Sequence, residues 1–142
     1  MPVRTAEAVW EGNLPEGHGT MTLAGGAYRG PYSFKSRFES GTGTNPEELI
    51  AAAHAGCYSM ALSHALATVG HPPKRVHTTA KVHLEKSEGG FSIPRIELVT
   101  EAEVPGIDEA KFHEQAETAK KNCPVSKLLA AAQISLQATL IK

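Results

Sequence analysis

Apolar and polar residues alternate along much of this chain, and the alternation predicts strands. Over residues 3–11, Ala6, Ala8 and Trp10 fall at every second position. Thr20 to Leu23 alternates threonine with Met21 and Leu23. Tyr32, Phe34, Ser36 and Phe38 then alternate with Ser33, Lys35, Arg37 and Glu39. Turn-forming Gly and Pro residues separate these runs, at 12–19 and 25–31, so a three-stranded antiparallel meander is expected. Further on, Val76, Thr78, Ala80, Val82 and Leu84 mark a half-buried strand, and Ser87-Glu88-Gly89-Gly90 its hairpin turn. Residues 91–104 form the return strand, where Pro94 predicts a bulge or an edge position. Ile134, Leu136, Ala138 and Leu140 define a last strand.

Between these blocks the period changes. After the loop Gly41-Thr42-Gly43-Thr44, Asn45 suits a helix N-cap, Pro46 the first helical position, and Glu47 and Glu48 the acid-favouring first turn. The helix is expected to reach Val69, with Gly70 and Pro72 as its stop. It is apolar around most of its circumference, so nearly all of it should be buried. Its run Ala51-Ala52-Ala53-His54-Ala55-Gly56 has little side-chain bulk and suits close approach by another helix. One small sheet cannot cover such a helix, and a second copy of the chain is expected to cover the rest. Asp108 caps a second helix that closes on Lys120 and Lys121 and ends at Asn122; Cys123-Pro124 starts a short helical turn through Leu129. The order is β-β-β-α-β-β-α-β: an α+β fold with antiparallel sheets around long buried central helices, in an intimate homodimer. The 142 residues suit one domain, 1–142.

Composition narrows the field. Hydrophobic residues are 41 % and charged residues 20 %, enough apolar content for a packed core. A formal net charge of −1 gives no basic excess to neutralise phosphates, so no nucleic-acid partner is expected. The apolar stretch 49–69 contains His54, Ser59, Ser63 and His64, which argues against a membrane span. The N-terminus shows no secretory pattern, and the reading is a cytoplasmic protein. Two cysteines are too few for a disulfide scaffold; in that compartment they are free, metal-bound or redox-active.

Periodicity leaves the candidate chemistry open. Cys57 reads either as an inert core thiol or as a reactive one. Cys123, before Pro124, is either a surface cysteine or a thiol activated by the unpaired N–H groups of a helix start. Arg37, by alternation, lies on the polar face of its strand, where a solvated ion pair would suffice to explain it. Glu47 is equally explained as a first-turn acid. His54 and Cys57, three apart on one helical face, resemble a fragment of a metal site, but no matching Cys/His pair lies near in sequence. No metal or cofactor is therefore assigned.

At four segments the chain resembles a known family. Residues 43–62, GTNPEELIAAAHAGCYSMAL, closely resemble the helix signature of the OsmC/Ohr family of osmotically induced and organic-hydroperoxide-resistance proteins. Asn122-Cys123-Pro124-Val125-Ser126 resembles its second cysteine motif, and the strand expected over residues 32–39 its arginine-bearing strand. Val104-Pro105-Gly106-Ile107-Asp108 is similar to the OsmC branch. The resemblance implies a thiol peroxidase acting on organic hydroperoxides through an intertwined homodimer. Cys57 would be the peroxidatic cysteine and Cys123 the resolving one, joined in a disulfide that dithiols of the lipoyl type reopen. Arg37 would stabilise the Cys57 thiolate, and Glu47 would hold the guanidinium plane.

Helix geometry sharpens that expectation. Glu47 and Cys57 are ten residues apart, and at 1.5 Å per residue their backbones lie about 15 Å apart on a continuous helix. An Arg37–Glu47 pair beside Cys57 then requires a second chain, so composite sites in the dimer are expected, with Arg37 and Glu47 supplied in trans. Phe38, Tyr58, Met60 and Leu129 are candidate walls of an apolar substrate pocket. The rival readings are a non-catalytic thiol redox sensor and a metal-binding dimer using His54 and Cys57.

Overall fold

A computed structural model describes residues 1–142 as two compact units, Met1–Leu49 and Ile50–Lys142. In the first, β1 (Ala6–Glu11), β2 (His18–Leu23) and β3 (Arg29–Tyr32) form an antiparallel meander in the order β1-β2-β3. Trp10 and Tyr32, on the outer strands, bring their rings to 5.2 Å between centroids.

The expected strand through Phe38 ends at Tyr32, and Arg37 lies on a five-residue helix, α1 (Phe34–Phe38). A capping box starts it: Ser33 Oγ accepts from the Ser36 N–H, and Ser36 Oγ accepts from the Ser33 N–H. Alternation misleads here because residues 34 and 38 share a face at period two and also at the helical i,i+4 spacing. Phe34 and Phe38 do pair, at 4.9 Å between centroids, but along a helix.

The long helix α2 spans Pro46–Thr68, starting where Asn45 Oδ1 accepts from the Glu48 N–H at 2.7 Å. It ends at Gly70, whose φ of +87° lets the Gly70 N–H reach Ala67 O and the His71 N–H reach Leu66 O. No neighbour lies within 4 Å of a Cβ built on Gly70, so Gly70→Ala carries a purely conformational cost. That cost should lower stability by about 1–2 kcal/mol in denaturant unfolding.

In the second unit, β4 (Arg75–Ser87) and β5 (Gly90–Glu103) form an antiparallel hairpin. Its register shifts where His83 pairs with Arg95 but Glu85 with Ser92, so Ile93 and Pro94 bulge from β5. After α3 (Glu109–Asn122) and α4 (Pro124–Leu128), β6 (Gln133–Ile141) pairs parallel to β5, so the sheet is mixed, not antiparallel throughout. The two helices supply the crossover that parallel strands require.

Tyr58, Leu62 and Leu66 of α2 pack with Leu98 and Ala102 of β5, Phe112, Ala116 and Ala119 of α3, and Leu140 of β6. Burying each large side chain stabilises the fold by about 2 kcal/mol. The opposite stripe of α2 is uncovered in the single chain: Ala52, Ala53, Gly56 and Ala67 are exposed and Met60 is 76 % exposed. Burial of α2 on nearly all sides is thus not met within one chain. No helix is long and apolar enough to cross a membrane.

Candidate active site

The first unit builds a fixed cation. Arg37 Nε donates to Glu47 Oε1 at 3.0 Å and Nη2 to Oε2 at 2.9 Å, a two-toothed pair that fixes the guanidinium plane. Glu47 is buried, whereas Arg37 keeps part of its surface open. The backbone under the pair is locked. Ser36 Oγ donates to Thr44 O at 2.7 Å, Asn45 Nδ2 donates to Ser36 O at 2.9 Å, and the Thr44 N–H donates to Pro31 O at 2.9 Å. Gly43 turns this loop at φ +111°, and a Cβ there would lie 2.7 Å from Pro31 O. Phe38 places its ring 5.2 Å from the guanidinium carbon.

Beside Arg37 is a recess of about 220 Å³ lined by Trp10, Leu14, Tyr32, Phe34, Phe38 and Ser33. Of the candidate pocket walls, Phe38 is in this recess. Tyr58 is instead core, fully buried with its hydroxyl donating to Ala116 O at 3.0 Å, and Met60 is on the exposed stripe of α2. Leu129 is half-buried just beyond α4.

The second unit builds a thiol pair. Cys57, on α2, and Cys123, at the joint between α3 and α4, place their sulfurs 3.0 Å apart across 66 residues of sequence. Both are free, Cys57 partly exposed and Cys123 fully buried, so an oxidant from solvent reaches Cys57 first. Cys123 caps α4 as the Cys-Pro pattern predicts.

The two sulfurs differ electrostatically. Burial pushes the Cys57 thiol above the ordinary cysteine value and the contact with Cys123 adds to this, against a hydrogen bond from the Val125 N–H. Burial also raises Cys123. There it is outweighed by the neighbouring Cys57 thiol and by the Ser126 and Val125 polar groups at the start of α4, which together draw Cys123 below the ordinary value. The groups that shift Cys57 within its own unit include no cation.

His54 belongs to neither a ligand set nor the solvent. It is 0 % exposed, with Nε2 2.7 Å from Ser126 Oγ. No group of three or more His, Cys, Asp or Glu side chains is arranged to hold a metal ion. In the sequence Ser126 is marked only by its place three residues after the N-cap Cys123, at the third position of α4.

These features accompany clear relationships to known proteins. The family model described as OsmC-like protein matches residues 39–138. Peroxiredoxin OsmC of Escherichia coli is 47 % identical over 129 residues, covering 90 % of each chain. Organic hydroperoxide resistance protein OhrB of Bacillus subtilis is 33 % identical over 90 residues, 63 % of this chain and 64 % of that one. Among solved structures, an organic hydroperoxide resistance protein OsmC from Legionella pneumophila matches with a TM-score of 0.70 at 22 % identity, covering 98 % of this chain and 99 % of the other, a likeness of fold. The cysteine motifs, the α+β architecture and these relatives together establish that the chain belongs to the OsmC family.

Proposed function

We propose that this protein is a cysteine-based thiol peroxidase that reduces organic hydroperoxides, and hydrogen peroxide less well. The 3.0 Å approach of Cys57 and Cys123 carries the reading, because such an arrangement lets one sulfur accept an oxygen atom and the other release it. The names of its relatives, peroxiredoxin OsmC and organic hydroperoxide resistance protein, support the same chemistry.

In the first step the Cys57 thiolate attacks the terminal peroxide oxygen. The O–O bond breaks, the alkoxide takes a proton and leaves as an alcohol, and Cys57 becomes a sulfenic acid. In the second step the Cys123 sulfur attacks Cys57 Sγ, the S–O bond breaks, water leaves and a disulfide forms. A dithiol of the lipoyl type then reduces that disulfide and is itself oxidised to a disulfide, regenerating both thiols.

The first step needs charge on Cys57, and a guanidinium is the group that supplies it. Glu47 and Cys57 sit ten residues apart on the continuous helix α2, about 15 Å by helical rise. The working unit is therefore a cytoplasmic homodimer whose chains cross along the small-residue stripe of α2. Arg37 and Glu47 of one chain serve Cys57 of the other, and no metal or cofactor takes part. The aromatic recess beside Arg37 suits the organic tail of the peroxide.

The reading is tested by adding cumene hydroperoxide and dihydrolipoamide to purified protein. Continuous peroxide consumption is expected from the wild type. Cys123→Ser should consume about one equivalent per chain to form the sulfenic acid, and about one more for each further oxygen added as Cys57 over-oxidises, and then stall, with the added oxygens counted by mass spectrometry. A wild type that oxidises once and never turns over would instead favour a redox sensor.

A further inference from the structure

His54 and Ser126 form a buried polar pair that the two-cysteine cycle does not use. His54 Nε2 is 2.7 Å from Ser126 Oγ, and Ser126 is the third residue of α4, the helix that Cys123 N-caps, where its hydroxyl and N–H both draw the Cys123 pKa down. His54 Nδ1 is buried with no partner. A buried N–H without an acceptor is rarer than a buried acceptor without a donor, so the ring proton belongs on Nε2 and the bare lone pair on Nδ1. The Nε2–H then donates to Ser126 Oγ. A serine hydroxyl has only one proton to give. With its oxygen already receiving from His54, that proton is directed to Cys123. The other tautomer would pull the Ser126 proton toward Nε2 and leave Cys123 without this donor. Burial also lowers the His54 pKa, which favours the neutral ring.

From this geometry we infer that His54 and Ser126 are positioning residues for the resolving step: His54 sets the direction of the Ser126 hydroxyl, which supports the Cys123 thiolate that attacks the Cys57 sulfenic acid. The identity of that step rests on the peroxidase reading above. In it the Cys123 thiolate forms the S–S bond, the Cys57 S–O bond breaks, and the departing hydroxide takes a proton from solvent. The pair thus acts on resolution, where a hydrogen bond to charged sulfur is worth more than one to a neutral thiol. The ionisable groups facing Cys123 are Cys57 and Tyr58 of α2, with Glu117 of α3 acting on Tyr58; α4 contributes the Val125 and Ser126 donors.

Two measurements test this. In the first, reduced protein receives one equivalent of cumene hydroperoxide, and sulfenic acid and disulfide are followed by dimedone trapping and mass spectrometry. In Ser126→Ala and His54→Leu the sulfenic acid should persist at least about tenfold longer than in wild type, the loss expected for one hydrogen bond to a charged group. His54→Gln, whose amide N–H can replace Nε2–H, should recover most of the rate. In the second, the ultraviolet absorbance of the Cys123 thiolate is titrated in a Cys57→Ser background. Its midpoint should rise by about one pH unit with Ser126→Ala or His54→Leu and return toward the parent with His54→Gln. A general packing defect would not be repaired by glutamine. Disulfide formation at the wild-type rate in Ser126→Ala, or an unmoved Cys123 midpoint, overturns the inference. Failure of the wild type to form any sulfenic acid would remove the peroxidase reading instead, and the Cys123 titration would still decide the role of His54 and Ser126.

Discussion

Cys57→Ser should abolish hydroperoxide turnover, lowering kcat/KM by at least about a thousandfold, as loss of a nucleophile does. A serine hydroxyl is not ionised at neutral pH, and burial makes its ionisation harder still. Cys123 cannot substitute, because it is fully buried whereas Cys57 is partly exposed. The fold should be unaffected, since serine is nearly the size of cysteine and the position is not in the deepest core. The check is peroxide consumption with excess dihydrolipoamide, alongside a circular dichroism melt. Residual turnover within tenfold of wild type would show that the oxygen is accepted elsewhere.

Arg37→Ala should cost on the order of a hundredfold in kcat/KM, the range seen when a single charge-stabilising donor is lost from an active site. In the proposed mechanism the burial that raises the Cys57 pKa is why a cation would be needed, and the Glu47 carboxylate fixes the plane of Arg37. Arg37→Lys keeps the charge but gives up the paired hydrogen bonds, so it should recover only part of the activity. The trans arrangement makes a sharper demand. Arg37→Ala and Cys57→Ser should each be nearly inactive alone, but a mixed dimer would join the intact Cys57 of one chain to the intact Arg37 of the other. Unfolding and refolding the two variants together at equal ratio should restore about a quarter of wild-type activity, because half the dimers are mixed and each holds one working site of two. If Arg37 served its own chain, the mixture would stay dead.

Much of this site was legible in the sequence, for local physical reasons. Asn45, Pro46, Glu47 and Gly70 announce the ends of α2 because capping and positive φ are properties of a few neighbouring residues. The bulge at Pro94 was readable for the same reason. The segment after Tyr32 was not, since a one-turn helix and a strand place Phe34 and Phe38 alike, and the capping box of Ser33 and Ser36 lacks the usual Glu or Gln. The direction of β6 was hidden because alternation states which face a strand buries, not which way it runs. Likewise, spacing along α2 joined His54 to Cys57 as a metal fragment, whereas the actual partner of His54 lies 72 residues away and only the tertiary fold brings it near.

The sequence distance between the two sulfurs has a mechanical meaning. Joining residues 66 apart ties the start of α2's second half to the joint of α3 and α4, enclosing most of the second unit's framework in one covalent ring. Chain-entropy reasoning puts such a ring at about 4 kcal/mol against unfolding. Each peroxide molecule would thus toughen the protein that consumes it, and each reductant would loosen it again. Under oxidative attack with reductant exhausted, the population would accumulate in its sturdiest form, waiting intact for electrons to return.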